Sequence, residues 1–330
     1  MNLWQELLGH DAQVDMFRRA MSNQRLAHAY LFIGSAGIGK RKFATMLAQC
    51  LFCTNVADEE LDACGECSSC KQVVAGSHPD LLTVAKPQGK KELPIDLLVG
   101  AADRRGKEGL CHDLALRPMS ANRRFAIIDD ANTMNEASAN ALLKTLEEPP
   151  PGSVIILLTP EIDSILTTIR SRCQPIRFSS LSDDHLASLL EKDPEADSAA
   201  ISKILPYAGG SLATAKELLD TSLDQLREVV EKTLTRRPYD PIKSKQLLNG
   251  VLEELGGDPA TQRQYIHWLV QFSIGSLQQQ LRNQGNAEEV GALMERCFKA
   301  EEHLRQSMPV ALCLEALCDD MGYLSRQSYV

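Results

Sequence analysis

The chain has 330 residues, a length that predicts about two or three domains, and 44% of them are hydrophobic, enough for sizeable cores. Its formal net charge of −9 argues against a large nucleic-acid-binding surface, which needs clustered Lys and Arg, but leaves room for a small contact. No apolar run reaches about 18 residues, which excludes a membrane span, and the amino terminus lacks a signal-peptide pattern. We therefore expect a cytoplasmic protein, in which ten cysteines favour metal binding or free thiols over disulfides.

The first half of the chain alternates short apolar strands with amphipathic helices. Ala29–Ile33 is a continuous apolar run that predicts a buried strand, and a glycine-rich loop and a helical pattern follow it. Arg124–Ile128 and Val154–Thr159 predict further strands, and Glu136–Glu148 predicts a helix that three prolines end. Strands that alternate with helices indicate a parallel sheet, so residues 1–180 are assigned to an α/β domain.

The second half shows helical patterns only. Residues 181–221 read as short helices with a break at Gly209-Gly210, which predicts a small helical lid domain. Residues 222–330 contain about five predicted helices and no convincing strand, which indicates an all-helical carboxyl-terminal domain.

The loop after the first strand has the pattern of a phosphate-binding loop. It reads Gly34-Ser35-Ala36-Gly37-Ile38-Gly39-Lys40, between a predicted strand and a predicted helix. Its backbone N–H groups would face an anion, and Lys40 would reach the β- and γ-phosphates of a nucleotide. The alternative is an ordinary glycine-rich turn. Arg41 follows where an active site has a Ser or Thr that binds Mg²⁺, so we expect metal-assisted hydrolysis to suffer even if phosphate still binds.

Two acids follow the second predicted strand, and Phe125–Asp130 resembles a Walker B strand. Asp129 would hold the metal, directly or through water. Asp130 stands where a Glu would orient the attacking water, and a carboxylate displaced by roughly 1 Å can cost about 100-fold in rate. The alternative is an exposed loop that happens to carry two acids.

Four cysteines have the spacing of a metal site. Cys53, Cys64, Cys67 and Cys70 form C-x10-C-x2-C-x2-C, which can place four thiolates around one ion. A closed four-cysteine set predicts structural zinc and leaves no open position for catalysis; free thiols or disulfides are the alternatives. The other six cysteines are expected to be ordinary small buried residues.

Three features together carry a family resemblance. The cysteines placed just after the loop helix, the run Asn140–Pro150 (NALLKTLEEPP) and Ser171-Arg172-Cys173 resemble subunits of bacterial DNA polymerase III clamp loaders, which are AAA+ proteins. The match covers about 210 residues, and the remainder resembles the family's collar only in its helical pattern. The resemblance implies an AAA+ P-loop domain with an inserted zinc module at residues 53–70, then a lid and an oligomerising collar.

The resemblance also implies roles for single residues. Arg172 matches the arginine finger, which reaches the γ-phosphate held by a neighbouring subunit, although a plain surface arginine is the alternative. Thr159 falls at the sensor 1 position, and Ala213 stands where active subunits carry the sensor 2 arginine.

Arg41, Asp130 and Ala213 therefore depart together from the active pattern, while Arg172 is retained. This combination looks like the non-hydrolysing delta-prime type of subunit. The first alternative is an ATP-hydrolysing subunit of the gamma/tau type. A different AAA+ machine, such as a helicase motor, is disfavoured by the four cysteines and the S-R-C motif.

The implied cofactor is structural zinc, and the binding of ATP and Mg²⁺ in the chain's own site is left open. The implied partners are gamma/tau and delta subunits, the sliding clamp, and primer–template DNA through the complex, with no membrane. Lys86–Gly106 is longer than the usual connection in the family that the chain resembles. Lys90-Lys91 and Arg104-Arg105 could touch DNA or a partner, although a solvated loop is the expectation.

Overall fold

The computed structural model describes residues 3–193, 197–220, 222–233, 239–282, 286–306 and 308–327. The chain divides into two compact units, Met1–His185 and Leu186–Val330. Among the described helices, none combines the length and the apolar character that a membrane crossing requires.

The first unit is built on a five-stranded parallel sheet with the strand order β2-β3-β4-β1-β5. The strands are β1 Ala29–Ile33, β2 Leu81–Val84, β3 Arg124–Ile128, β4 Ser153–Thr159 and β5 Gln174–Arg177. Every residue of β1, β3 and β4 is buried, because helices cover both faces of the sheet's centre. These three predicted strands are confirmed. The edge strand β2 was not predicted, since its side chains are only partly buried and its run is short.

The described part of the first unit contains seven α-helices. They are α1 Asp11–Ser22, α2 Lys40–Phe52, α3 Ser68–Val74, α4 Ile95–Val99, α5 Leu110–Ala115, α6 Glu136–Glu147 and α7 Thr167–Arg170. On one face, Phe17 of α1 and Phe43 of α2 pack on Phe32 of β1, with ring centroids 5.6–6.0 Å apart. On the other face, Leu142 of α6 shares a core with Leu31. The α/β fold predicted for this part of the chain is confirmed.

The parallel arrangement brings the carboxyl ends of β1, β3 and β4 to one edge of the sheet. The glycine loop follows β1, Asp129 follows β3, and Thr159 is the last residue of β4. Open parallel sheets bind their ligands at this edge. The fold therefore gathers the candidate nucleotide residues from three separate parts of the chain.

The second unit is helical throughout its described residues. Its helices are α9 Ser198–Ile204, α10 Leu212–Leu218, α11 Ser222–Thr233, α12 Pro241–Leu255, α13 Pro259–Arg282, α14 Ala287–Arg305 and α15 Val310–Gln327, while α8 Asp183–Leu190 crosses the boundary between the units. Tyr207 packs edge-on against Phe272 of α13 at 5.3 Å between ring centroids. A Cβ at Gly275 would lie 2.4 Å from the Tyr207 ring, so this glycine is what lets Tyr207 approach α13 closely.

Candidate functional site

The phosphate-binding loop leaves β1 between the two neighbouring strands. Gly34 donates its N–H to the carbonyl of Thr159 at 3.1 Å, which ties the loop to the end of β4. A Cβ at Gly34 would lie 2.5 Å from the Phe178 carbonyl oxygen, so only glycine fits there. Gly37 and Gly39 have φ angles of 74° and 105°, in the left-handed region that favours glycine. The backbone therefore excludes a side chain at Gly34 and favours glycine at Gly37 and Gly39.

Lys40 begins α2 and is 8% exposed. Its ammonium group donates hydrogen bonds to the carbonyl of Gly34 and, at 2.6 Å, to the carbonyl of Ser35. Burial lowers the pKa of Lys40, and the nearby charges of Asp129 and Asp130 oppose that shift. The loop thus holds a buried cation whose hydrogen-bond partners here are neutral carbonyl groups.

Arg41 forms an ion pair with the acidic residue at the end of β3. Its Nη1 lies 3.1 Å from Oδ2 of Asp129, and the other carboxylate oxygen, Oδ1, accepts the backbone N–H of Asp130 at 3.0 Å. Asp130 itself has a left-handed φ of 52°, which the short turn after β3 imposes. The arginine therefore lies against the carboxylate that was predicted to hold the metal.

Thr159 ends β4 and is 1% exposed. Its hydroxyl donates to the carbonyl of Glu161 at 2.8 Å and lies 3.1 Å from the hydroxyl oxygen of Ser164. In this conformation the Thr159 proton is used within its own turn. The sensor 1 role stays a prediction.

His10 contacts the backbone of the phosphate-binding loop. This contact was not predicted from the sequence. Its Nε2 lies 2.7 Å from the carbonyl oxygen of Ile38, and its ring packs edge-on against Phe178. Burial lowers the pKa of His10, which favours the neutral form, with Nε2–H donating to the loop carbonyl. A lone histidine before a helix carries no sequence signal of such a contact.

Arg172 lies at the amino-terminal end of the parallel strands, and the phosphate-binding loop lies at their carboxyl-terminal end. In the β1–β5 pairing Tyr30 is level with Gln174, so Arg172 lies near His28, before β1 begins, whereas the loop begins after β1 ends. Six residues of extended chain span about 20 Å. Arg172 therefore cannot reach the phosphate loop of its own chain.

The Arg172 guanidinium is held by groups of its own chain. It pairs with Glu147, the last residue of α6, at 2.7 Å. It also donates to the carbonyl of Thr168 at 2.8 Å and to the hydroxyl of Ser171 at 3.1 Å. Its side chain remains 35% exposed. The pairing of Glu147 with Arg172 was not predicted, because the two residues are 25 positions apart and Glu147 is one of two consecutive glutamates.

Ala213 belongs to the second unit. It is exposed in the first turn of α10, whose amino terminus Ser211 caps by accepting the N–H of Thr214. A methyl side chain offers neither charge nor hydrogen bond to a phosphate.

The four predicted metal ligands lie together. The sulfur atoms of Cys53, Cys64, Cys67 and Cys70 are all within 4.8 Å of one another. A tetrahedral ion with bonds of about 2.3 Å requires thiolates roughly 3.8 Å apart. The two arrangements are compatible, so the cluster could hold a metal ion such as zinc.

Backbone donors surround these sulfur atoms. The N–H groups of Cys64, Cys67 and Cys70 each lie 3.4 Å from the sulfur of the preceding cysteine in the set. Backbone hydrogen bonds lower the pKa of Cys64 and so favour its thiolate, the form that binds metal. Five of the six remaining cysteines are buried, as predicted, and the sixth is half-buried: Cys50, Cys173, Cys297, Cys313, Cys318 and Cys111.

The segment Lys86–Gly106 is a solvated loop only in part, which corrects the expectation from the sequence. It contains helix α4, and it buries Leu93 and Leu98 in the core on one face of the sheet, whereas Lys90 and Lys91 are exposed. Residues 101–108 are all exposed, and Arg104 pairs with Glu108 at 2.7 Å. Gly100 and Gly109 close the loop, since a Cβ at Gly109 would lie 2.5 Å from the backbone nitrogen of Gly100. Contact with DNA or a partner stays a prediction for this loop.

Comparison with protein families identifies the first unit. The profile of the family described as "DNA polymerase III, delta subunit" matches residues 9–182, more than half of the 330 residues. The chain belongs to this family. Membership confirms the resemblance to clamp-loader subunits that the cysteine, NALLKTLEEPP and S-R-C motifs carried.

Several curated relatives are subunits of the same polymerase. The chain is 35% identical to DNA polymerase III subunit delta' of Pseudomonas aeruginosa over 213 residues, 62% of this chain and 60% of the relative. It is 32% identical to the Bacillus subtilis delta' subunit, over 65% of this chain and 61% of the relative. The Bacillus subtilis tau subunit is 29% identical over 67% of this chain and 38% of its own length. The chain thus matches about three fifths of the delta' relatives' length, and both kinds of subunit are among its relatives.

Within the clamp-loader family, the site combines a complete phosphate loop with an altered metal position. The glycines and Lys40 keep the loop geometry, while Arg41 replaces a hydroxyl with a guanidinium paired to Asp129. The candidate site therefore keeps the backbone geometry of a phosphate-binding loop and carries a guanidinium at the position predicted for a metal ligand.

Proposed function

We propose that this chain is a clamp-loader subunit of DNA polymerase III that works in the cytoplasm and does not hydrolyse ATP itself. In this proposal it helps to load the sliding clamp onto primed DNA. It assembles with gamma/tau and delta subunits, and it supplies Arg172 in trans to a neighbouring ATPase subunit.

The observation that carries the proposal is the position of Arg172. Arg172 lies at the end of the sheet where the parallel strands begin, whereas the phosphate-binding loop lies at the end where they stop. The Arg172 side chain is partly exposed. An arginine finger places a fixed positive charge where negative charge grows on the transferring phosphoryl group, and it contributes about 10³–10⁵ in rate. The planar, always-charged guanidinium suits this role better than lysine.

Three altered positions support the absence of hydrolysis. Arg41 supplies no hydroxyl to Mg²⁺ and pairs with Asp129 instead. Asp130 is one methylene shorter than the glutamate that orients water, and Ala213 supplies no charge to a phosphate. Losses within one site do not add simply, but each of these changes acts in the same direction.

We further propose that the cysteine cluster holds structural zinc, and that residues 222–330 form the oligomerising collar after a lid at residues 181–221. A closed set of four thiolates is the structural zinc arrangement. Zinc would be held by Cys53, Cys64, Cys67 and Cys70, and it would stabilise the segment between α2 and α3 without taking part in chemistry.

The test compares two arginine variants in the reconstituted clamp loader. Arg172→Ala removes the proposed finger. Arg170→Ala is the matched control, because Arg170 is two residues away, pairs with Asp163 and has a side chain 33% exposed against 35% for Arg172. At matched assembly, Arg172→Ala should reduce hydrolysis at one neighbouring site by about 10³-fold or more and impair clamp loading, while Arg170→Ala should not. Equal ATPase and loading rates in the two variants would refute the proposed role.

The alternative function is an ATP-hydrolysing subunit of the gamma/tau type, and the intact geometry of the glycine loop around Lys40 is the observation that favours it. The measurement that separates the two is ATP turnover by the isolated chain. Turnover comparable to that of an active clamp-loader ATPase would establish the gamma/tau type, and negligible turnover supports the non-hydrolysing subunit.

A further inference from the structure

We propose that the phosphate loop of this chain binds the polyphosphate of a nucleotide without a divalent cation, with Arg41 supplying the positive charge at the metal position. The inference deepens the proposed function, because it names the ligand of the same non-hydrolysing site and gives the site a use as a nucleotide-stabilised scaffold.

Magnesium does not fit the residues present. Mg²⁺ requires an octahedron of oxygen ligands, and Arg41 offers none at the position that normally supplies a hydroxyl. Both oxygens of the Asp129 carboxylate already accept N–H groups, one from Arg41 at 3.1 Å and one from the Asp130 backbone at 3.0 Å. A divalent cation bound to Asp129 would lie within a few ångströms of a guanidinium, and like charges at that range repel strongly.

An anion does fit. Lys40 is 8% exposed, and its ammonium hydrogen-bonds two carbonyl oxygens, which are neutral partners for a buried charge. The charges of Asp129 and Asp130 offset part of the cost of burying this cation, but its direct hydrogen-bond partners are neutral. A hydrogen bond to an anion is stronger than one to a carbonyl, so the loop favours a ligand that brings negative charge to this nitrogen. The 13-residue helix α2 begins at Lys40, and the free backbone N–H groups of a helix start favour an anion.

Arg41 is placed to complete the site. Its side chain is 56% exposed, and its pair with Asp129 holds it beside the end of β3. A guanidinium has five N–H donors, and only Nη1 is used by Asp129, which leaves donors for phosphate oxygens. Without a metal that bridges the β- and γ-phosphates, hydrolysis loses its principal source of charge stabilisation. The nucleotide would therefore remain intact as a structural ligand.

The experiment measures ATP and ADP binding to the full-length chain by calorimetry, once in excess Mg²⁺ and once in excess EDTA. The wild-type chain should bind with the same dissociation constant, within about twofold, under both conditions. Arg41→Thr, which restores a hydroxyl, should bind about tenfold or more tightly in Mg²⁺ than in EDTA. Arg41→Gln keeps most of the length without the charge and should weaken binding about tenfold in EDTA, which corresponds to about 1.4 kcal/mol.

Two results would overturn the inference. One is wild-type binding that requires Mg²⁺, which would mean that the metal displaces Arg41 from Asp129. The other is a wild-type chain that binds neither nucleotide under either condition while Arg41→Thr binds, which would mean that the Arg41–Asp129 pair closes the site. Neither result depends on assembly into the complex, so both are distinct from a failure of the Arg172 test.

Discussion

The Arg172 guanidinium and the Glu147 carboxylate form an ion pair of 2.7 Å between the start of β5 and the end of α6. Both side chains are more than a third exposed, and such pairs contribute only about 0.2–1 kcal/mol. If Arg172 acts in trans, it must leave this pair to reach a neighbour's phosphate. The weak pair would then hold the arginine in place before assembly without preventing its release.

The first prediction follows from that strength. Glu147→Gln removes the charge but keeps the size, so it should raise hydrolysis at the neighbouring site by about 1.4- to 5-fold in the reconstituted complex. Thermal unfolding of the isolated variant should be nearly unchanged. A loss of activity as deep as that of Arg172→Ala would show instead that Glu147 positions the arginine for the reaction.

The second prediction concerns the cysteine cluster. Elemental analysis should find one zinc per chain in protein purified without chelators, and Cys64→Ser should lower both the zinc content and the thermal stability. Metal binding at such sites contributes directly to folding free energy, so chelators should have the same effect as the substitution. Cys111→Ser, which changes a half-buried cysteine outside the cluster, is the control and should retain the metal. Chains free of zinc that show undiminished stability would contradict the assignment.

The third prediction concerns Asp80, a fully buried carboxylate immediately before β2. Burial alone raises its pKa, but the backbone N–H groups of Met119, Ser120 and Ala121 at 2.7–2.9 Å and the charge of Arg124 outweigh burial and lower it. A depressed folded-state pKa adds stability above the unfolded value of about 3.9, and this stability is lost as the pH falls through the folded value.

Asp80→Asn should therefore reduce the free energy of unfolding at neutral pH by about 2–3 kcal/mol, since hydrogen bonds to a charged group are lost. The difference from wild type should shrink when denaturant unfolding is measured below about pH 4. Asp103→Asn, at an exposed loop position, should be nearly neutral at both pH values. A pH-independent loss in Asp80→Asn would show that packing rather than charge is responsible.

The fourth prediction separates two glycines. Gly34→Ala places a Cβ 2.5 Å from the Phe178 carbonyl and 2.8 Å from Ile38, so it should destabilise the first unit by about 1–3 kcal/mol. Gly250→Ala is exposed within α12 with nothing inside 4 Å, and it should stabilise the chain by about 0.5–1 kcal/mol. Chemical denaturation of both variants measures the contrast. Equal effects would mean that the loop moves to accommodate the added methyl group.

The sequence predicted the buried strands well because β1, β3 and β4 are continuous apolar runs with no exposed position. It missed β2, where Leu81–Val84 is only partly buried and looks like any short apolar segment. It also missed His10 and Glu147, whose partners Ile38 and Arg172 lie 28 and 25 positions away. Contacts at such separations depend on how strands and helices are arranged in space, which local periodicity does not encode.

The sequence by itself determined the chemistry available to this protein: a glycine loop with Lys40, an arginine in place of a hydroxyl at position 41, four cysteines at metal spacing, and Arg172 in an S-R-C motif. The tertiary structure decided how these groups are combined. It paired Arg41 with Asp129, 88 positions apart, because β1 and β3 end at the same edge of a parallel sheet. It placed Arg172 at the opposite end of the strands, because β5 runs parallel to β1 and Arg172 comes just before β5 begins. Which charge meets which carboxylate is a property of strand order and direction, and only the folded sheet specifies both.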